Sequence, residues 1–142
     1  MKEKQLQDIT ALYGRLSRDD EVGGESMSIQ SQRAILGQYA KEHGFTNCQF
    51  FMDDGYSGTN FDRPAFTEMM ELVEQRRVRT IIVKDLSRLG RNYLEVGRYT
   101  EVIFPENKVR FIAITDGVDS AAGDNEFAPF KNIINEWYAK DT

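Results

Sequence analysis

Four runs of strand character alternate with four stretches of helical spacing along this chain, and that alternation constrains its fold more than any other feature. Ile9 to Leu16 alternates well enough to enter a core as a strand, which leaves Ser17 just past a strand end. The charged stretch RDDEVGGESM reads as a loop, and a helix opens near Ser26 or Ser28. Ile29, Leu36 and Ala40, with Ile35 and Tyr39, sit at helical spacing, and Gly44 supplies the stop. A second strand, roughly Cys48 to Met52, leads into the loop DDGYSGTNFDRP; Pro64 then starts a helix on Phe66, Met69, Met70 and Val73. TIIV at 80 to 83 suits a strand buried on both faces. Asn92 caps a third helix reaching about Phe104, with Glu95 at its third position and Pro105 marking its end. Val109 to Ile114 is a further strand, followed by the polar, turn-rich TDGVDSAAGDN.

From about residue 126, Phe127, Phe130, Ile133, Ile134, Trp137 and Tyr138 trace an apolar stripe on a helix with no stop signal before Thr142, as if the chain were cut inside a longer helix. This stripe is rich enough in large residues to pack on another copy, with an ordinary core face as the alternative. The expectation is one α/β domain spanning residues 1–142, with a mostly parallel central sheet between helical layers and a long C-terminal helix.

A single cysteine, Cys48, precludes an internal disulfide, and one cysteine with one histidine cannot build the usual zinc sites. A Ser-His-Asp triad would rest on His43 alone, and His43 beside Gly44 reads as a helix-terminal residue. With no signal peptide and no span of about 20 apolar residues, the sequence points to a cytoplasmic protein without membrane partners. Net charge is −5, yet residues 76 to 91 carry six basic side chains against Asp85. A positive stripe on an acidic body can engage phosphates locally.

In a parallel sheet, functional groups collect in loops at the carboxyl ends of the strands. Three such loops are chemically loaded: Arg15-Leu16-Ser17; Asp53-Asp54-Gly55-Tyr56-Ser57-Gly58 with Arg63; and Ser87-Arg88-Leu89-Gly90-Arg91. Phosphoryl transfer without metal needs cationic donors around the equatorial oxygens, and arginine's planar fork supplies them at any working pH. A serine hydroxyl is a poor nucleophile unless neighbouring cations stabilise its alkoxide or a base removes its proton. Each feature has a plainer reading. An RxS tripeptide is common, aspartates in a glycine loop usually form turns, and paired arginines often make a solvated face. Their joint order is what carries weight.

Tyr13-Gly14-Arg15-Leu16-Ser17 resembles the nucleophile motif of the resolvase and invertase family of serine recombinases. Ser28-Ile29-Gln30-Ser31-Gln32-Arg33 is similar to the family's first-helix signature, with Gln32 matched to its active-site glutamine. Asp53-x-Gly55-x-Ser57-Gly58 with Asp62-Arg63-Pro64 resembles the next block, and Lys84-Asp85-Leu86-Ser87-Arg88-Leu89-Gly90-Arg91-Asn92 the arginine-rich one. GYSGTNFDRP, DLSRLGRN and NEFAPFKNIINEWYAKD are most like the large members of transposons and integrated phages. One departure is Ser87, where small resolvases carry an aspartate; Asp85 lies two residues away.

The resemblance implies a resolvase-like three-layer fold and a bacterial or phage-encoded recombinase that excises or inserts a mobile element. It implies that Ser17 attacks a DNA phosphate, forms a 5′-phosphoserine bond, releases a 3′ hydroxyl and reseals after strand exchange, with no metal or other cofactor. By motif position Arg15, Arg88 and Arg91 hold the phosphate, Arg63 assists at the site or its edge, Lys84 contacts DNA, and Gln32 and Ser57 orient groups. Asp53 positions an arginine rather than acting as base, since a carboxylate set among arginines resists protonation. The implied partners are double-stranded DNA, a homodimer, and a synaptic homotetramer of the full-length protein, with sequence-selecting modules outside this stretch. Two other classes share some of these features: a non-catalytic phosphate- or nucleotide-binding α/β domain, and a serine phosphatase or hydrolase. The absence of GxSxG, of GxxxxGK[ST] and of a glycine fingerprint opening a helix weighs against them.

Overall fold

The structure, a computed structural model, describes residues 7–16, 28–54, 63–90 and 93–122. Five strands form one sheet: β1 (Ile9–Leu16), β2 (Cys48–Asp54), β3 (Val78–Val83), β4 (Arg110–Ala113) and β5 (Val118–Asp119). Their order is β2-β1-β3-β4-β5, parallel throughout except for β5, which pairs antiparallel to β4. Every residue of β1 is buried, as expected of a strand with a neighbour on each side and helices over both faces.

Helix α1 (Ile29–Glu42) covers one face and α2 (Pro64–Glu74) the other. Ser28 caps α1 by accepting the Ser31 N–H, one of the two starts the sequence offered. On the α1 side Leu12, Ile82 and Ile112 of the sheet meet Leu36 and Ala40. On the opposite side Tyr13, Phe51, Ile81, Val83 and Phe111 pack with Phe66, Met69 and Val73 of α2 and Val96 and Phe104 beyond β3. Two separate apolar layers with the sheet between them make a three-layer α/β sandwich.

After β3 the chain makes a 3₁₀ turn (Leu86–Arg88), then α3 (Tyr93–Arg98), which runs through a π-helical stretch (Tyr99–Ile103) into the short α4 (Phe104–Glu106). Pro105 therefore lies inside the helical run, not at its end. The wide turn explains the tolerance: the Phe104 N–H reaches back to Tyr99 O, five residues away, opening the coil where a proline ring would otherwise strike a carbonyl.

Three further sequence readings need correction. Asp53 and Asp54 belong to β2, because pairing with Arg15 and Leu16 of β1 outweighs their turn preference. The turn-rich connection after β4 contains β5, too short for any periodicity to reveal, held by bidentate Arg110–Asp119 bonds at 3.0 and 2.7 Å. The basic run is not one stripe. β3 separates Arg76, Arg77 and Arg79 at the amino end of the sheet from Lys84 and Arg88 at the carboxyl end, roughly 20 Å away for a six-residue strand. The apolar stripe at 127–138 and the expected cap Asn92 lie outside the described residues. Among the described residues no helix is long and apolar enough to cross a membrane.

Candidate active site at the carboxyl ends of the strands

In a sheet of order 2-1-3-4-5 the chain reverses direction between β1 and β3, and the crevice beyond their carboxyl ends is the natural site for a ligand. Arg15 and the Ser87–Arg88 turn meet there. β3 runs beside β1 only as far as the Tyr13–Val83 pair, so the peptide groups of Arg15 need other partners. Gln32 of α1 provides them: its Oε1 accepts the Arg15 N–H at 3.1 Å and its Nε2 donates to Arg15 O at 3.0 Å. The same carbonyl accepts from Arg88 Nη1 at 2.7 Å, and Arg15 Nη2 donates to Ser87 O at 2.7 Å. The Arg88 guanidinium thus holds the Arg15 backbone, and the Arg15 guanidinium holds the turn at Ser87.

Gln32 occupies the buried stripe of α1, one turn before Leu36 and two before Ala40. Gly14 makes its approach possible. A Cβ there would stand 2.7 Å from Gln32 Oε1 and 2.6 Å from Met52 Sδ, inside van der Waals contact.

Arg63, also fully buried, donates to Arg88 O at 3.2 Å, Leu89 O at 2.9 Å and the Tyr13 hydroxyl at 3.3 Å, and lies over the Phe66 ring at 4.3 Å. Its charge sits beneath the arginine turn and fixes that turn's carbonyls. Tyr13 donates in turn to Asp53 Oδ2 at 2.9 Å. Burial raises the Tyr13 phenol far above its ordinary range, opposed by Arg63, so this hydroxyl stays a donor. Asp53 also accepts the Ala65 and Phe66 N–H groups at 2.9 and 3.0 Å, the open N-terminus of α2. Arg63, the residue before α2, contributes no capping side chain, and Asp53 from β2 does that work across the fold.

At the outer edge, Asp85 gathers three partners: Lys84 Nζ at 3.3 Å, Arg88 Nε at 3.5 Å and the Ser87 hydroxyl. Asp85 therefore supplies a carboxylate within the arginine turn although Ser87 is not one. Asp116 accepts the Leu86 N–H at 2.8 Å. Burial lifts its carboxyl above the usual range and the Asp85 charge adds to this, while the Leu86 N–H and Lys84 oppose it.

Of the residues singled out from sequence, Arg15, Gln32, Asp53, Arg63 and Arg88 come together in one buried network, and Lys84 joins its rim through Asp85. Ser17, Ser57 and Arg91 lie outside the described residues. The sequence reading gave Tyr13 and Asp116 no role. A tyrosine in a strand that enters the core carries a hydroxyl that must find a partner, which is the signal the sequence holds for Tyr13; Asp116 has none. His43 ends α1 as expected, exposed and with its ring stacked on Tyr39 at 4.0 Å.

Residues 10–141 match the family model described as resolvase, N terminal domain. Among solved structures, the N-terminal catalytic domain of TP901-1 integrase is similar at 26% identity and a TM-score of 0.73, covering 93% of this chain and 97% of its own. A resolvase family site-specific recombinase from Streptococcus pneumoniae aligns over 93% of this chain and 89% of its own, at 24% identity and a TM-score of 0.65. The C-terminal catalytic domain of ISC1926 TnpA, an IS607-like serine recombinase, aligns over 74% of this chain and 69% of its own, at 25% identity and a TM-score of 0.58. No curated protein matches the chain.

Proposed function

Since the chain belongs to the resolvase family of serine recombinases, by its match over residues 10–141, we propose that it is the catalytic domain of a DNA recombinase whose nucleophile is Ser17. The Ser17 hydroxyl oxygen attacks a phosphodiester; an Oγ–P bond forms as the bond to the 3′ oxygen breaks, and that oxygen leaves with a proton as a 3′ hydroxyl. The 5′-phosphoserine diester retains the energy of the broken linkage. Attack by a 3′ hydroxyl after strand exchange therefore reseals DNA and frees the serine.

One observation carries this reading. Two residues before Ser17, Arg15 is tied to the arginine turn from both sides: it donates to the Ser87 carbonyl, and its own carbonyl accepts from Arg88 and Gln32. A guanidinium has five N–H donors, so a bond to a carbonyl is compatible with others to phosphate oxygens. Held in advance, such donors stabilise developing charge without reorganising during the reaction. In this scheme Arg15, Arg88 and Arg91 bind the phosphate and Lys84 approaches the DNA from the rim. Ser57 orients groups by hydrogen bonding. Arg63 and Asp53 position the arginine turn and α2 from below. Excision or insertion of a mobile element is the proposed task, performed on double-stranded DNA by a dimer that pairs into a tetramer. The likeness to the TP901-1 integrase domain supports that choice.

The test is to incubate the protein, within its full-length chain, with a nicked suicide duplex that traps the covalent species, and to map the adduct by mass spectrometry. The expected result is a DNA-linked peptide carrying Ser17, absent from Ser17→Ala protein that remains folded. An adduct surviving in Ser17→Ala removes Ser17 as the nucleophile.

A further inference from the structure

At the amino end of the sheet, away from the arginine turn, a cleft of about 480 Å³ opens beside the end of α1. Its floor is a row across three strands, with Thr10 paired to Thr80 and Thr80 to Arg110. Thr10 and Thr80 are each only 2% exposed, and what they expose lines this cleft. Both residues line the cleft, so their hydroxyls offer a ligand two adjacent hydrogen-bonding groups in place of water.

The rim supplies charge. Ile9 pairs with Val78 but Thr10 with Thr80, so Arg79 is the extra residue of a β-bulge, with an exposed side chain at the cleft. Lys108, in the left-handed conformation (φ 60°) before β4, adds a second cation. Neither side chain has an ion-pair partner among the described residues. Arg110 differs, since its guanidinium is taken bidentately by Asp119. Asp8 on the rim and the C-terminal end of α1 disfavour an anion, so the two open cations must supply the attraction.

We propose that this cleft binds a small phosphate-bearing molecule, with its phosphate oxygens on the Thr10 and Thr80 hydroxyls and its charge met by Arg79 and Lys108. Two cations match a phosphate dianion better than a single-charge carboxylate. The recessed floor favours a small ligand over a DNA backbone, whose flanking sugars keep its phosphates from reaching a buried hydroxyl. The site stands apart from the Ser17 chemistry and does not depend on it.

The test is calorimetric titration with inorganic phosphate and, separately, adenosine monophosphate, following the Thr10 and Thr80 amides by NMR. The expected result is saturable binding of at least one probe at millimolar concentration or below, with shifts at both amides. The double variant Arg79→Ala with Lys108→Ala should weaken it about tenfold or more, the loss of two charge-assisted contacts. Asp8→Asn should tighten it, and Ser17→Ala should leave it unchanged. Binding of phosphate alone identifies a free anion, and tighter binding of the monophosphate a phosphate ester. Absence of saturable binding by either probe overturns the proposal. So does binding indifferent to Arg79 and Lys108, or a short DNA duplex that displaces phosphate from the two threonines.

Discussion

The side-chain amide of Gln32 pairs with both peptide groups of Arg15, accepting from its N–H at 3.1 Å and donating to its carbonyl at 3.0 Å, as a neighbouring strand would. Replacing Gln32 with Leu leaves the Arg15 N–H without this acceptor, while Arg88 still holds the carbonyl. The expected cost is about 1–3 kcal/mol of stability, read as a lower urea midpoint at unchanged slope. Gln32→Glu should fare no better. Its carboxylate accepts from the N–H but sets a second acceptor against the carbonyl.

Gly14 and Gln32 form one unit, since a methyl group at Gly14 would occupy the space of the Gln32 oxygen. Gly14→Ala is expected to cost about 1–3 kcal/mol by overpacking. Combined with Gln32→Ala, the two losses should sum to less than their parts, with a coupling of about 0.5–3 kcal/mol in a double-mutant cycle. Strict additivity would mean that the close approach is relieved elsewhere.

Arg63 and Arg88 should separate in their effects. Arg63 is buried on two carbonyls and a phenol, so Arg63→Met should destabilise the fold by about 3–5 kcal/mol, the range for breaking a buried charge network. Arg88→Ala and Arg91→Ala should leave melting closer to wild type and suppress Ser17 adduct formation more than DNA binding. Equal losses of cleavage and binding would make Arg88 and Arg91 simple DNA contacts.

Asp53 is expected to act through structure. Asp53→Asn keeps the shape but removes the charge at the start of α2, at a cost of about 0.5–2 kcal/mol in thermal unfolding. Adduct formation should fall in proportion to the loss of folded protein at assay temperature. Complete loss of adduct in a fully folded Asp53→Asn protein would assign the carboxylate a direct part in proton transfer.

The β4–β5 ladder should loosen in acid. The Asp119 carboxyl is held below the ordinary range chiefly by its hydrogen bonds to Arg110, with burial opposing. A depressed carboxyl contributes stability above its unfolded value and loses it as pH falls through the folded one. The protection factors of the Ala113 and Val118 amides, exchange corrected for its intrinsic pH dependence, should therefore fall on acidification below the ordinary carboxylate range, and Asp119→Asn should flatten that dependence.

Much of this fold is legible in the chain because burial on two faces and helical spacing leave periodic signals: β1, α1 and α2 begin or end close to where periodicity and Pro64 place them. The arginine-bearing loops follow from the same order. What periodicity cannot show is which polar groups meet across elements. The family resemblance places Gln32 and Asp53 at the site, but which groups they and Tyr13 meet emerges only when α1, β1 and the start of α2 are brought within hydrogen-bonding distance. β5 escapes because two residues carry no period.

The division of the basic run by β3 bears on how tightly this domain can grip nucleic acid. Each phosphate neutralised on a duplex releases about 0.9 of a counterion, so the salt dependence of affinity counts the cations facing that duplex. Of the basic run's described residues, a duplex lying against the carboxyl ends meets Lys84 and Arg88 beside Arg15, with Asp85 partly offsetting the first two, and is out of reach of Arg76, Arg77 and Arg79. The slope against salt should accordingly be far shallower than six adjacent positive charges would give.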